Sequence, residues 1–300
     1  MASSPLFTPT NLADLSIKNR VVYPAMTRAR CEGGLANETM VEYYSQRASA
    51  GLVVTEPSAV SPGAVGYNDT PGMYTEEQAL AWSNVTGALH AKGTTVVAQL
   101  WHTGRMSHSS FHNGAPIVSA SSIPIATGAR VPECGVQAAD GTWHPHELPR
   151  ELTTAEVESI VEAFGTSAAL AKQAGFDGVE IHAGSGYLID TFLQSCSNTR
   201  ADKYGGGVEG RLLILKEIVG RVASEFPASR IGVKITPNNG TRDLTTNPSL
   251  LHQHHPSSHH HHPSSSSSSQ DSTAWAPTTT PRPSCTSRPS CTSSTSHTFT

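Results

Sequence analysis

Residues 178–211, GVEIHAGSGYLIDTFLQSCSNTRADKYGGGVEGR, hold the densest set of chemically capable side chains in this 300-residue chain. An apolar stretch ends in His182, and a short glycine-containing loop then presents Ser185 and Tyr187. A histidine so placed can donate to an oxygen on which negative charge develops. A tyrosine, with a pKa near 10, stays protonated at neutral pH and can give up a proton. The same residues can serve structure alone, with His182 capping a strand and Tyr187 packed under a helix, and local spacing leaves both readings open. Thr27, Gln99 and Lys234 are further polar residues that close apolar runs elsewhere in the chain.

The elements that must position these groups are legible as alternation. Short β-branched runs occur at Val21–Tyr23, Gly51–Thr55, Thr94–Leu100, Gly178–His182 and Ile231–Ile235, which predicts five buried strands. A helix is expected after Thr153, where Glu156 completes a capping box. Val157, Ile160, Val161, Phe164, Ala168 and Ala171 form its apolar stripe, and Gly175 ends it. A second runs from about Val208 to Phe226 with Leu212, Leu215, Ile218, Val219 and Val222 inward, and a third from about Glu76 to His90. Such alternation argues for parallel strands with right-handed crossovers. The sequence contains neither GxGxxG nor GxxxxGK[ST], so a (β/α) barrel with its chemistry at the strand C-terminal ends is preferred to an open doubly wound sheet. Between Trp101 and Leu152 lies a long stretch rich in Gly, Pro, Ser and His without a clear period, suited to an active-site rim.

Composition mainly excludes. A net charge of −4 gives no electrostatic reason to expect nucleic acid or an anionic membrane as partner. No apolar run reaches the ~18 residues of a membrane span, and the start of the chain lacks a basic segment followed by a long apolar one, so a cytoplasmic location is expected. The cysteines at 31, 134, 196, 285 and 291 have neither paired nor metal-ligand spacing and fit a reducing compartment. The Asn-X-Thr triplets at Asn37, Asn68 and Asn84 are read as chance matches. In residues 241–300, 43 of 60 positions are Ser, Thr, Pro or His, with no Val, Ile, Met or Tyr, too few apolar groups to offset ordering entropy. The expected organisation is therefore a barrel portion over 1–240 and a disordered low-complexity tail over 241–300. The histidines at 252, 254, 255 and 259–262 lack a frame for a functional metal site.

A wider pattern sharpens the reading. Asn19-Arg20 with Pro24-Ala25-Met26-Thr27-Arg28, then YYSQRASAGLVVTE (43–56), GYNDTPGMYTEEQ (66–78), QLWHTGRMSH (99–108) and SNTRADKYGG (197–206) follow the order seen in the Old Yellow Enzyme family of FMN-dependent ene-reductases. The chain resembles that family from about residue 5 to about residue 238. The resemblance implies a TIM (β/α)8-type barrel with FMN at its C-terminal mouth. There hydride passes from NADH or NADPH through the flavin to the C=C bond of an α,β-unsaturated carbonyl compound, an enone or enal. Carried over to this sequence, Pro24, Ala25 and Met26 line the flavin ring, Thr27 contacts its O4, and Gln99 pairs with its pyrimidine edge. Lys234 falls where the family usually places an Arg beside N1 and O2. His182 grips the substrate carbonyl oxygen and Tyr187 protonates the α-carbon.

Three departures from the family pattern stand out. Ser185 replaces an Asn or second His, so the second carbonyl donor is shorter, where loss of such a donor costs roughly 3–4 kcal/mol. Pro57 replaces a Gly or Ala whose backbone N–H faces the flavin, and proline has no such donor. After Ile235-Thr236-Pro237-Asn238 the family continues into three more strands and the phosphate-holding loops, whereas this sequence turns into the Ser/His-rich run. The expectation is an incomplete barrel of about five of eight strands, the fifth with an unpaired edge, that binds FMN poorly. The alternative is a non-catalytic truncated fragment, or a gene-model artefact, that lacks the FMN phosphate site.

Overall fold

The computed structural model describes residues 4–125 and 135–236 together with the backbone of 296–299. The remainder of the proposed tail, its histidine-rich run, Cys134, Cys285 and Cys291 lie outside the described residues.

Five parallel strands form the central sheet in chain order: β1 (Val22–Tyr23), β2 (Leu52–Val54), β3 (Thr95–Trp101), β4 (Gly178–His182) and β5 (Ile231–Ile235). All five coincide with the β-branched runs of the sequence. Their mutual order is the sequential one of a barrel, and it is reached by crossovers that carry helices α1 (Glu38–Ser45), α2 (Glu76–His90), α3 (Thr154–Gln173), α4 (Leu188–Leu193) and α5 (Val208–Val222).

Pairing of β2 with β3 is broken after Val54 and resumes at Ser58–Ala59, which pair with Leu100 and Trp101. Pro57, without an N–H to give to a ladder, sits at the interruption.

The helices form where local signals agree. Thr75 with Gln78 and Thr153 with Glu156 each close a capping box at the starts of α2 and α3. Gly175, at φ +84°, turns the chain out of α3 into β4. Val157, Val161, Phe164, Ala168 and Ala171 of α3 are buried as expected, whereas in α5 the deepest residues are Ile214, Ile218 and Val222, with Leu212 and Leu215 half-buried. Two helices were not anticipated: α1, capped by the Asn37 side chain, and the six-residue α4.

The edge of β5 differs from expectation. Ser296–Phe299 pair with it in antiparallel register, Gly232 opposite Phe299 and Ile235 opposite Ser296. These four residues, within the stretch expected to lack structure, thus cover an edge that would otherwise offer unpaired backbone groups.

The excursion between β3 and α3 is tied down at its two ends. Val118–Ser119 pair in parallel with Arg150–Glu151, and Val136–Gln137 pair antiparallel with Trp143–His144. Arg200, whose side chain is 3% exposed, stitches this segment to the loop after α4. It donates to the carbonyls of Ala120 (2.9 Å) and Leu152 (2.5 Å) and makes a two-point contact with the Asp202 carboxylate.

Candidate active site

Alternation along the strands decides which side chains meet. Glu180 lies opposite both Gln99 and Gly232, and His182 lies opposite Lys234. Residues two apart share a face, so Gln99 and Trp101 of β3, Glu180 and His182 of β4 and Lys234 of β5 are presented on one side of the sheet. A cavity of about 150 Å³ opens there, lined by Ala25, Thr27, Pro57, Gln99, Trp101, His182, Ser185, Tyr187 and Lys234. Eight of the ten site residues named from sequence therefore share one cavity. Pro24 and Met26 alternate with Ala25 and Thr27 along an extended run and are exposed, off the cavity wall.

The run carrying Thr27 is held from below by Glu56. Its buried carboxylate accepts from the backbone N–H groups of Arg28 (3.0 Å) and Ala29 (3.2 Å), while its own N–H donates to the Tyr44 hydroxyl at 2.8 Å. Burial raises the Glu56 pKa above the usual glutamate range, and the two N–H groups oppose that rise.

At the cavity floor Gln99 is 1% exposed and donates through Nε2 to Glu180 Oε1 at 2.5 Å. The carboxylate can only accept, so it fixes the amide with Oε1 as the atom left for a donor from the cavity. Lys234 stands beside this pair. Burial pushes its pKa down from 10.5, and the Glu180 charge works in the opposite direction.

His182 receives the Gly184 N–H on Nδ1 at 3.3 Å, so the neutral ring carries its proton on Nε2 and is a donor. Gly184 is required there because a Cβ would stand 2.5 Å from Thr236 Oγ1. The loop is pinned on its other side by the Ser185 N–H, which donates to Thr236 Oγ1 at 2.5 Å, and Ser185 itself is in the left-handed region at φ +61°.

Tyr187 occupies the N-cap position of α4 without capping it. The buried Asp190 serves that end instead, accepting from the Gly186 N–H at 2.7 Å. The Tyr187 ring packs edge-on against both Trp101 (4.8 Å between centroids) and His182 (4.9 Å), and its hydroxyl lies 3.3 Å from that of Tyr67.

Trp101, Tyr67 and Glu180 escaped the sequence reading. Trp101 could have been found, since it continues the period of two one step beyond Gln99. Glu180, two residues before His182, carries the same signal; Tyr67 does not, because its partner Tyr187 is 120 residues away. Among the described residues no group of His, Cys, Asp and Glu is arranged to hold a metal ion, and no helix is long and apolar enough to cross a membrane.

Sequential parallel strands, the first four each followed by a helix, with polar side chains gathered at their C-terminal ends, define a (β/α)-barrel architecture, represented among the described residues by five strands of the eight. Solved structures share it. Morphinone reductase in complex with tetrahydroNAD superposes with a TM-score of 0.72 at 43% identity, over 77% of this chain and 64% of that one. The old yellow enzyme homologue from Zymomonas mobilis gives 0.73 at 36%, over 79% and 66%. Among curated proteins, 12-oxophytodienoate reductase 7 of Oryza sativa subsp. japonica is 40% identical across 78% of this chain and 59% of its own length. Flavin oxidoreductase hxnT of Emericella nidulans is 38% identical across 80% and 61%. The chain belongs to the NADH:flavin oxidoreductase / NADH oxidase family, which it matches over residues 5–253. It spans about 60% of the length of these curated relatives.

Proposed function

We propose that this chain carries the ring-binding and catalytic part of an FMN-dependent ene-reductase, which uses NADH or NADPH to reduce the C=C bond of α,β-unsaturated carbonyl compounds. The observation that carries the reading is convergence. A fixed donor (His182 Nε2–H), an acid (Tyr187), a fixed acceptor (Gln99 Oε1) and a cation (Lys234) all face one cavity. Two relatives are named as reductases of 12-oxophytodienoate and of morphinone, which supports a small oxo compound as substrate class.

The residues present fit a flavin ring. Its pyrimidine edge offers an N–H that Gln99 Oε1 can accept, and the negative charge of the reduced ring suits Lys234. Ala25 and Thr27, held by Glu56, would border the same ring, while Pro57 supplies shape and no hydrogen bond. The chemistry FMN supplies when bound is hydride transfer, from NAD(P)H and on to the substrate β-carbon. His182 holds the substrate carbonyl oxygen and stabilises charge developing there, with the Ser185 hydroxyl as a second, shorter donor. Tyr187 delivers a proton to the α-carbon, its hydroxyl oriented by Tyr67. A cytoplasmic setting belongs to this reading, and the charge balance gives no support to nucleic-acid binding.

The test uses the 300-residue chain supplemented with FMN, NADPH and 2-cyclohexenone. Tyr187→Phe is expected to lower enone turnover by 10²-fold or more while NADPH still reduces the flavin. Equal turnover in both proteins would remove Tyr187 from its role. Absence of any flavin binding, read from visible absorbance after gel filtration, would overturn the reading for this chain.

A further inference from the structure

The end of β3 carries two aromatic neighbours that face opposite ways. Trp101 lines the cavity described above, and His102 lines a second one of about 310 Å³ on the other side of the wall. That volume is at the lower end of the range for small-molecule sites. Its body is apolar, made by Ala115, Ile117, Val118, Leu152 and Ile160. At its rim Arg150 and Glu156 neutralise each other in an ion pair of 2.7 Å.

The polar feature of this cavity repeats the one in the active site. His182-Ala183-Gly184 and His102-Thr103-Gly104 are both strand-end His-Xaa-Gly sequences. In each, the glycine N–H donates to histidine Nδ1, at 3.3 Å and 3.1 Å respectively, which leaves the proton on Nε2. His102 is 3% exposed and burial drives its pKa down to about 3, so the ring is neutral. Among the described residues nothing accepts from its Nε2–H. The neighbouring His112 spends its Nε2 proton on Ser107 Oγ at 2.8 Å, since that hydroxyl gives its own proton to the Val65 carbonyl. The ring lines the cavity, so its Nε2–H is open to an acceptor held there; one water could serve but would leave the apolar body of the cavity unfilled.

We propose that this second cavity binds a small, uncharged, largely apolar molecule bearing one carbonyl or hydroxyl oxygen, which accepts from His102 Nε2–H. Charged molecules are disfavoured because Arg150 and Glu156, the Lys, Arg, Asp or Glu residues on the wall among the described residues, are already paired with each other. The site is separate from the flavin cavity yet adjoins it, since the His102 carbonyl accepts from the N–H of Leu188, the residue after Tyr187.

Camphor, a compact saturated ketone that an ene-reductase cannot reduce, is a suitable probe, with the hydrocarbon bornane as its oxygen-free counterpart. Titrated calorimetrically into the whole chain, camphor is expected to bind at one site and about tenfold more tightly than bornane, the difference one hydrogen bond supplies. His102→Phe should erase that preference. Ser159→Trp should abolish binding of both compounds, because Ser159 is an exposed residue at the mouth whose change leaves the fold alone. His182→Phe should leave the preference for camphor over bornane at the second cavity in place. Camphor binding that survives Ser159→Trp, that is lost in His182→Phe, or that is undetectable below about 1 mM would overturn the proposal.

Discussion

Asp202 offers the most direct measurement of how the excursion between β3 and α3 is held to the barrel. Its carboxylate takes a two-point contact from Arg200, a hydrogen bond from the Thr154 hydroxyl at 2.7 Å and one from the Tyr204 N–H at 3.2 Å. Arg200, the largest influence, helps hold the Asp202 pKa down at about 2, against 3.8 for a free side chain. A lowered carboxylate pKa means that the folded chain favours the ionised form, so the stabilisation is complete above 3.8 and is lost as pH falls towards 2. At about 1.4 kcal/mol for each tenfold change in proton affinity, the difference amounts to roughly 2 kcal/mol at pH 7. Because the side chain is 27% exposed, solvent screening places the measured value between about 1 and 2 kcal/mol. Asp202→Asn should therefore lower the urea-unfolding free energy of the chain by that amount at pH 7 and by about half as much at pH 3. A gap that stays constant between the two pH values, or is absent at pH 7, would refute the ion pair as the source of the stabilisation. Arg200→Ala should cost more than Asp202→Asn, since the Ala120 and Leu152 carbonyls lose their donor as well.

Four further outcomes are expected, at three residues. Ser185→Asn should be neutral to stabilising by a few tenths of a kcal/mol, because asparagine tolerates φ +61° better than serine, and in FMN-supplemented chain it should tighten binding of a carbonyl compound, read by flavin difference spectra. Gly104→Ala should destabilise by about 1–3 kcal/mol in thermal or urea unfolding, since the residue is at φ +57° and an added Cβ would stand 2.9 Å from Leu188 Cα. Glu56→Ala should cost about 2–4 kcal/mol by leaving the Arg28 and Ala29 N–H groups without their acceptor. Glu56→Gln should instead remove a pH dependence. The raised pKa makes the wild-type chain lose stability as pH rises through and above 4.5, and the amide variant should be flat across that window.

Periodicity and capping residues made the five strands and three of the helices readable without coordinates, because those signals are local. The capping box at Thr153 and Glu156 and the β-branched run at 178–182 each specify an element within a few residues. The short α4 was hidden because its first turn is satisfied by Asp190 from inside the helix and not by a recognisable cap residue before it. The site was legible only through motif order across more than 200 residues, since His182 or Tyr187 alone could equally have been packing groups.

What the sequence determined by itself, then, is the set of strands and helices and the list of groups able to do chemistry at the strand ends. The tertiary structure alone decided their orientation. Register placed Glu180 opposite Gln99, which set the amide with its oxygen outward, and the chain's return brought Tyr67 to Tyr187 from 120 residues away. It also divided Trp101 from His102, sending one into each cavity, and closed the edge of β5 with Ser296–Phe299. Hydrogen bonds and ring contacts of this kind form between residues that no local pattern links, so they exist only once packing has brought the strands together.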